Sequence, residues 1–294
     1  MEILDGKKIA DAILEELKSK ILEENLHPVL GVILVGENEA SKIYVDLKGK
    51  AAEKVGIGFR KIEMSENVSE EEVLNKITEL NEDAEVNGVI VQLPLPKHLD
   101  KIKIIQAIDA KKDVDGFHAE NIELFFASQE RFFPVFPKAL LELLKSTGEK
   151  LAGKKAVIIC NSQEFGKTMQ IVLQREKVSS QYFFRDDVEE NLVDFQDADI
   201  LITACGVPNL IQGELLKAGV IVIDGGITRV GDKVVGDVNV SSVQNLEGYL
   251  SPVPGGVGPV TIACLLQNVY WSAKKYKNLY LSQKTPLAVD KMAI

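Results

Sequence analysis

Apolar residues recur at helical spacing over residues 7 to 23, where Ile9, Ile13, Leu14, Leu17 and Ile21 fall on one face. The run VLGVILVG then reads as a strand, and the pattern returns to helix from about 40 to 55. GFRKIEM reads as a second strand, 69 to 82 as a polar-faced helix, and NGVIVQLPLP as a strand stopped by Pro94 and Pro96. FFPVFPKALLELLKSTG predicts a proline-started helix ending at Gly148. A second series follows: strand 155 to 160, helix 164 to 176, strand 179 to 184, helix 188 to 196, and strands 199 to 204 and 219 to 224. Strands alternating with helices over short connections predict an α/β fold of parallel sheet with helices on both faces. A polar stretch sets the two series apart, with the boundary between 118 and 150.

Length agrees with two domains, since 294 residues exceed one typical domain. A hydrophobic share of 46% and a charged share of 27% are those of a globular protein, and no repeat or low-complexity segment interrupts them. A net charge of −10 argues against nucleic-acid and anionic-membrane partners, because phosphate backbones and lipid headgroups repel an acidic surface. MEILDGKKIADAILEELKSK carries charges through its first apolar positions and lacks the core of a signal peptide, and no apolar run approaches the roughly 20 residues that span a bilayer. Cys160, Cys205 and Cys264 lie far apart in apolar surroundings, as reduced buried thiols of a cytoplasmic protein do. No Cys-x-x-Cys or paired histidine accompanies them, so no metal site is expected.

Four segments carry candidate chemistry. In SKIYVDLKGKAAEKVGI, Tyr44 and Lys48 stand one helical turn apart and leave the same face. A lysine partly withdrawn from water exchanges protons near neutral pH, and a phenol beside it can stack on a planar substrate. By itself such a pair is more often a solvated lysine next to a core-edge tyrosine. Gln92 sits at the carboxyl end of a buried strand, the edge where parallel sheets collect ligands, and it can equally satisfy nearby backbone. In KDVDGFH, Asp113 and Asp115 precede a glycine; such aspartates usually make turns, and the alternative is a carboxylate gripping an amino-heterocycle. His118 reads as structural. SPVPGGVGPVTIACLLQN concentrates prolines and glycines just before an apolar helix, more than turn chemistry alone requires, so the backbone can approach a ligand there.

In this order, LDGKKIA, YVDLKGKAAEKVGI, GVIVQLPLP, KDVDGFH, VIDGGIT and SPVPGGVGPVTIA resemble the bifunctional methylenetetrahydrofolate dehydrogenase/methenyltetrahydrofolate cyclohydrolase family over nearly the whole chain. The resemblance implies a folate-binding catalytic domain over 1–135, joined by a carboxyl-terminal helix from about 258 to 294, and a Rossmann-type NAD(P)-binding domain over 136–257 with a cleft between them. It also implies a homodimer, tetrahydrofolate substrates and NADP. Carried over residue by residue, the proton-handling lysine is Lys48, the ring-stacking tyrosine Tyr44, the lysine-tuning glutamine Gln92 and the pterin-binding aspartate Asp115. Leu93 beside Gln92, and Pro254, Gly255, Gly256 and Gly258 in the PGGVGP loop, would border the folate. Asn161, Ser162, Gly166, Arg185, Asp186, Gly206 and Ile227 would border the dinucleotide.

Departures from the family pattern gather on the cofactor side. Val135, Phe136 and Ala139 replace the usual Cys, Thr and Gly of Pro-Cys-Thr-Pro-x-Gly. Cys160-Asn161-Ser162 stands for Gly-Arg-Ser, Phe165-Gly166-Lys167-Thr168 for Val-Gly-x-Pro, and Asp224-Gly225-Gly226-Ile227 for Asp-Val-Gly-Ile. The arginine expected to hold a 2′-phosphate is thus the uncharged Asn161, and Asp186 stands about 20 residues after the loop glycine, where NAD enzymes bind the ribose hydroxyls. Arg185 pulls the other way, so NAD remains possible beside NADP. Four readings result: a bifunctional enzyme using NADP, the same enzyme using NAD, a cyclohydrolase with weakened or lost dehydrogenase activity whose cofactor domain is mainly scaffold, and a non-catalytic folate-binding paralogue or interaction protein. The intact Tyr44, Lys48, Gln92 and Asp115 weigh against the last.

Overall fold

The computed structural model describes residues 1–188 and 192–284. In chain order its elements are β1 (Glu2–Ile3), α1 (Gly6–Glu23), β2 (Val29–Val35), α2 (Glu39–Val55), β3 (Gly58–Met64), α3 (Glu70–Glu82), β4 (Gly88–Val91), α4 (Lys101–Gln106), α5 (Ala119–Phe126), α6 (Val135–Ser146), β5 (Lys155–Cys160), α7 (Gln163–Arg175), β6 (Ser179–Phe184), α8 (Leu192–Asp197), β7 (Ile200–Ala204), β8 (Val220–Asp224), β9 (Thr228–Val230), β10 (Lys233–Val235), α9 (Val240–Val243), β11 (Gly248–Leu250) and α10 (Val257–Lys284). Every strand and helix read from the two periodic series is present. The helix expected over 188 to 196 is described from Leu192, and its residues 189–191 lie outside the described residues. The expected terminal helix is described to Lys284, and 285–294 likewise lie outside.

The chain folds into two compact units, one of Met1–Glu16 with Asn121–Leu265, the other of Leu17–Glu120 with the chain from Leu266 onward. These limits differ from 1–135 and 136–257. The amino-terminal β1 pairs in parallel with β11, which joins the first residues to the sheet of the later unit. Residues after Asn121 join the same unit because Arg175 of α7 donates to Phe125 O at 2.8 Å, pairs with Glu130, and stacks its guanidinium 4.3 Å from the Phe125 ring centroid.

The unit formed around Leu17–Glu120 holds a three-stranded parallel sheet in the order β3-β2-β4. The central β2 is apolar along its length because both its faces are covered, and Ile33, Val35, Val73, Ile77, Val89 and Ile104 pack into one core there. Helix α3 begins with a capping box between Ser69 and Glu72. Its carboxyl end is closed by the buried Lys112, whose Nζ donates to Leu80 O, Asn81 O and Asp83 O at 3.0, 2.7 and 2.7 Å. The later part of α10 packs onto this unit through polar contacts: Asn268 Nδ2 donates to Val114 O at 2.9 Å, Ser272 Oγ to Asn87 O at 2.6 Å, and Tyr270 and Lys274 both reach Glu24.

The other unit holds a six-stranded parallel sheet in the order β1-β11-β8-β7-β5-β6, with β9 and β10 as a separate antiparallel hairpin. From β5 the chain crosses through α7 to β6 on one side, while β7 lies on β5's other side. The carboxyl ends of β5 and β7 therefore flank a topological switch point, the place where open α/β sheets hold dinucleotides. Gly166, the lone glycine of this region, lies within the first turn of α7 and has a packing reason of its own, since a Cβ on it would lie 2.6 Å from the Tyr182 ring on β6. Gly166→Ala is expected to destabilise the protein by about 1–2 kcal/mol despite alanine's better helix propensity, because overpacking costs more than the propensity gain. Urea unfolding followed by circular dichroism measures it; a midpoint at or above wild type would show that the ring yields.

Candidate active site

Asn38 caps α2 by accepting a hydrogen bond from Ser41 N at 2.9 Å, and Gly56 ends the helix in the left-handed conformation with φ 82°. Ser41, Val45, Ala52 and Val55 turn inward, so the stripe carrying Tyr44 and Lys48 is left half-buried beside the core. Lys48 Nζ donates to Gln92 Oε1 at 2.8 Å. Gln92 follows the last residue of β4 directly and its own amide Nε2 donates to Leu93 O at 2.6 Å, which leaves Oε1 turned to the lysine. The Leu93–Pro94 peptide that follows is cis.

Asp115 stands in a loop held from several directions. The Val89 amide donates to Lys112 O at 2.7 Å, Asp113 Oδ2 accepts from the His118 amide at 2.8 Å, and Val114 O accepts from Asn268. Gly116 closes the turn with φ 82°. Asp113 thus braces the turn through the His118 amide, and Asp115 stands next to the glycine that closes it. A Cβ on Gly88 would lie 2.8 Å from Val114, so only glycine lets this loop close on β4.

Electrostatics mark the same residues. Burial lowers the Lys48 ammonium from its ordinary range, opposed by the Asp115 charge. Burial also pushes Asp115 up to about 6, with Lys48 pulling it down and Asp113 pushing it further up. The Tyr44 phenol is raised by burial and stays protonated as a donor. Lys48 therefore combines a lowered proton affinity with an amide-oxygen partner and the opposing charge of a half-hidden carboxylate, the surroundings in which perturbed proton-transfer groups are found.

In the other unit, Ser162 caps α7 by accepting from Phe165 N at 3.2 Å, which leaves the first amides of α7 at the switch point. Asn161 Nδ2 donates to Cys205 O at 2.6 Å, linking the turn after β5 to the turn after β7. Arg185 and Asp186 follow β6 in a short 3-10 turn and pair with each other at 3.1 Å, both exposed. Thr228 Oγ1 donates to Gly206 O at 2.9 Å, bringing the turn bearing Gly206 to the one bearing the exposed Ile227. The carboxyl ends of these strands thus carry the first amides of α7, the Asp186 carboxylate after β6, and glycine turns after β7 and β8, the kinds of group that dinucleotide sites of this sheet type use.

The PGGVGP loop belongs to this unit as well. Val253–Pro254 is cis, Gly255 has φ 103°, and Gly256 donates to Pro252 O at 2.8 Å. A Cβ on Gly6 would lie 1.8 Å from Gly256 O, so the glycine of LDGKKIA is required for α1 to start against this loop. Pro254 and Gly255 are exposed, Gly256 is buried, and Gly258 accepts from Thr261 Oγ1 at 2.6 Å.

The structure thus brings Tyr44, Lys48, Gln92, Leu93 and Asp115 into one unit, and places Pro254, Gly255, Gly256, Gly258 and the seven dinucleotide candidates in the other. Two supporting residues carry no sequence signal of their own: Lys112, which closes α3, and Asn268, which holds the loop bearing Asp115. Periodicity had marked only the elements they serve.

A parallel sheet with a dinucleotide-type switch point in one unit, and a half-buried Lys48–Gln92 pair with the Asp115 carboxyl in the other, are features of a two-unit α/β enzyme. The family model described as tetrahydrofolate dehydrogenase/cyclohydrolase, catalytic domain, matches residues 4–115, and the one described as its NAD(P)-binding domain matches residues 134–277. The chain belongs to the tetrahydrofolate dehydrogenase/cyclohydrolase family. The bifunctional protein FolD of Listeria innocua is 42% identical over 280 residues, covering 93% of this chain and 98% of that protein. The crystal structure of the bifunctional FolD dehydrogenase/cyclohydrolase of Campylobacter jejuni superimposes with a TM-score of 0.88 at 41% identity, covering 94% of this chain and 99% of the other. The Trypanosoma brucei enzyme, solved with NADP and an inhibitor, gives 0.88 at 32% identity over 93% and 97%. Among the described residues no helix is long and apolar enough to cross a membrane.

Proposed function

We propose that Lys48 is the proton-transfer group of this enzyme and that Gln92, Tyr44 and Asp115 prepare it and its substrate. The protein oxidises 5,10-methylenetetrahydrofolate to the methenyl form and hydrolyses that to 10-formyltetrahydrofolate. The observation that carries the roles is the 2.8 Å bond from Lys48 to Gln92 at a lysine whose proton affinity is lowered by burial. Gln92 Oε1 orients the amine, so its free lone pair or proton is aimed rather than mobile. Tyr44, on the same face of α2, offers a ring and a protonated hydroxyl to the planar pterin, and Asp115 offers a carboxylate to the pterin's amino group. Water attack on the methenyl carbon releases a proton, and Lys48 takes or returns it. Leu93, next to Gln92 at the end of β4, borders the folate in this reading. The domains are assigned accordingly, with folate chemistry in the unit of Leu17–Glu120 and dinucleotide binding in the other.

The bound nicotinamide supplies the acceptor for the oxidation; the chain's part is to hold it. Ser162 and the α7 amides fit the diphosphate, and Gly166 keeps α7 close to β6 behind it. Gly206 and Ile227 bound the nicotinamide end. Asn161 is uncharged and engaged with Cys205 O, while Arg185 is paired with Asp186. This supports a cofactor preference shifted from NADP toward NAD. Losing a charge-assisted phosphate contact costs about 1.5–3 kcal/mol, roughly 10- to 150-fold in affinity, enough to erase a preference. An absorbance assay on 5,10-methylenetetrahydrofolate with NAD and NADP supplied separately tests both activities and the preference. Asn161→Arg with Asp186→Ser is expected to lower the Michaelis constant for NADP by that factor and leave methenyl hydrolysis unchanged. Efficient NADP reduction by the unaltered protein at low micromolar cofactor would show that Arg185 or Lys167 supplies the charge, and the NAD reading would fall. The reading includes a homodimer in the cytoplasm, which sedimentation velocity and fractionation check.

A further inference from the structure

Two buried carboxylates lie at the carboxyl ends of β7 and β8, and every partner they have is neutral. Asp237, 0% exposed, accepts at Oδ2 from Thr203 Oγ1 and the Cys205 amide and at Oδ1 from the Val207 amide, each at 2.7 Å. Asp224, 3% exposed, accepts at Oδ1 from the Gly226 and Asp237 amides at 3.0 and 3.1 Å and at Oδ2 from the Val238 amide at 2.9 Å. Neither forms an ion pair among the described residues. Glycines make the arrangement possible, since a Cβ on Gly226 would lie 2.1 Å from Asp237 Oδ1 and one on Gly236 would lie 2.0 Å from Asp224 Oδ2.

Burying two carboxylates without a cation is costly, and well-packed apolar residues would stabilise a fold more cheaply. Their amide bonds, however, shape two turns, 205–207 and 225–227, which Thr228 then ties together through Gly206 O. In a doubly wound sheet the adenosine half of a dinucleotide lies over the first and second strands, here β5 and β6, so the nicotinamide half falls to the side of β7 and β8. The negative field already reaches the first turn: burial, and after it the Asp237 charge, push the Cys205 thiol up to about 11. Oxidised nicotinamide carries a positive charge that the reduced ring lacks. A fixed negative field in a low-dielectric site therefore acts on one redox form only.

Resting on the dinucleotide-binding role given to this unit, we infer that Asp237, backed by Asp224, is a positioning residue that holds the turn after β7 at the nicotinamide end and selects the oxidised, cationic dinucleotide over the reduced one. Oxidation would then start from the tightly held form and end on the loosely held one.

Dissociation constants of the wild-type protein for oxidised and reduced dinucleotide, by calorimetry and by fluorescence of the reduced form, give the first test. The oxidised form is expected to bind about tenfold more tightly. Asp237→Asn is expected to bring the two constants together by weakening the oxidised form alone, with methenyl hydrolysis unchanged as proof of folding. Thr203→Val, which removes one bond to Asp237 but keeps its charge, is expected to retain the selectivity. Equal weakening of both forms in Asp237→Asn would reduce the residue to a structural brace and overturn the inference. So would tighter binding of the reduced form by wild type, a result that needs no variant to fold. A wild-type protein that hydrolyses the methenyl substrate yet binds neither form would overturn the dinucleotide assignment itself.

Discussion

Lys48→Met is expected to lower hydrolysis of 5,10-methenyltetrahydrofolate by about 10²- to 10⁴-fold, the range that a positioned acid–base group contributes. Methionine keeps the length and apolar stem of the side chain, so the packing of α2 survives while the bond to Gln92 Oε1 is lost. Tyr44 and Asp115 remain, and the Michaelis constant for folate should change little, placing the loss in kcat. Lys48→Arg should not restore activity, because a guanidinium keeps its proton at any accessible pH. The limb of the pH–rate profile that belongs to Lys48 should vanish in both variants. Near wild-type hydrolysis by Lys48→Met would remove the residue from the mechanism.

Asp115→Asn should raise the Michaelis constant for folate by about 10- to 150-fold, the worth of charged hydrogen bonds to the pterin, and at the same time stabilise the protein. The stability sign follows from the carboxyl being pushed up to about 6 in the fold, against an ordinary value of 3.8. Between these values the folded state binds more protons than the unfolded state, so stability falls as pH rises through that window and the whole penalty is present above about pH 6. The amide carries no such penalty. Partial solvent access and the Lys48 attraction moderate it, and a gain of about 1–3 kcal/mol above pH 6 is expected, shrinking to nothing near pH 4. Thermal melting of both proteins across this range, beside a folate titration, checks both effects. A variant less stable than wild type at pH 7.5 would mean that Asp115 is a structural ligand of its loop rather than a charge held for substrate.

Much of the fold could be read along the chain because its signals are local. The apolar run of β2, the face of α1, the capping box of α3 and the prolines after β4 each lie within one element, and each element formed where its pattern stands. The short β1 and β11 gave no such signal, since strands of two and three residues carry no measurable period. The hairpin of β9 and β10 was missed although Gly231 and Asp232 mark its turn.

The site divides in the same way. Tyr44 and Lys48 share a face by the period of α2 alone, and Gln92 reaches the sheet's ligand edge by the end of β4 alone, so their residue types and places follow from sequence. That Lys48 meets Gln92, loses proton affinity and faces Asp115 depends on α2, β4 and the Asp115 loop being packed together, because desolvation and charge coupling are properties of surroundings. Asn268 reaching Val114, and Asp237 binding the amides of Cys205 and Val207, join segments far apart in sequence and have no local trace. By itself the sequence determined the order of elements, the family and the candidate proton-transfer residues. Tertiary structure alone decided where the two units part, which carboxylates are buried without a cation among the described residues, and that Lys48 is desolvated and bonded to Gln92 rather than solvated, since each depends on what burial brings within hydrogen-bond reach.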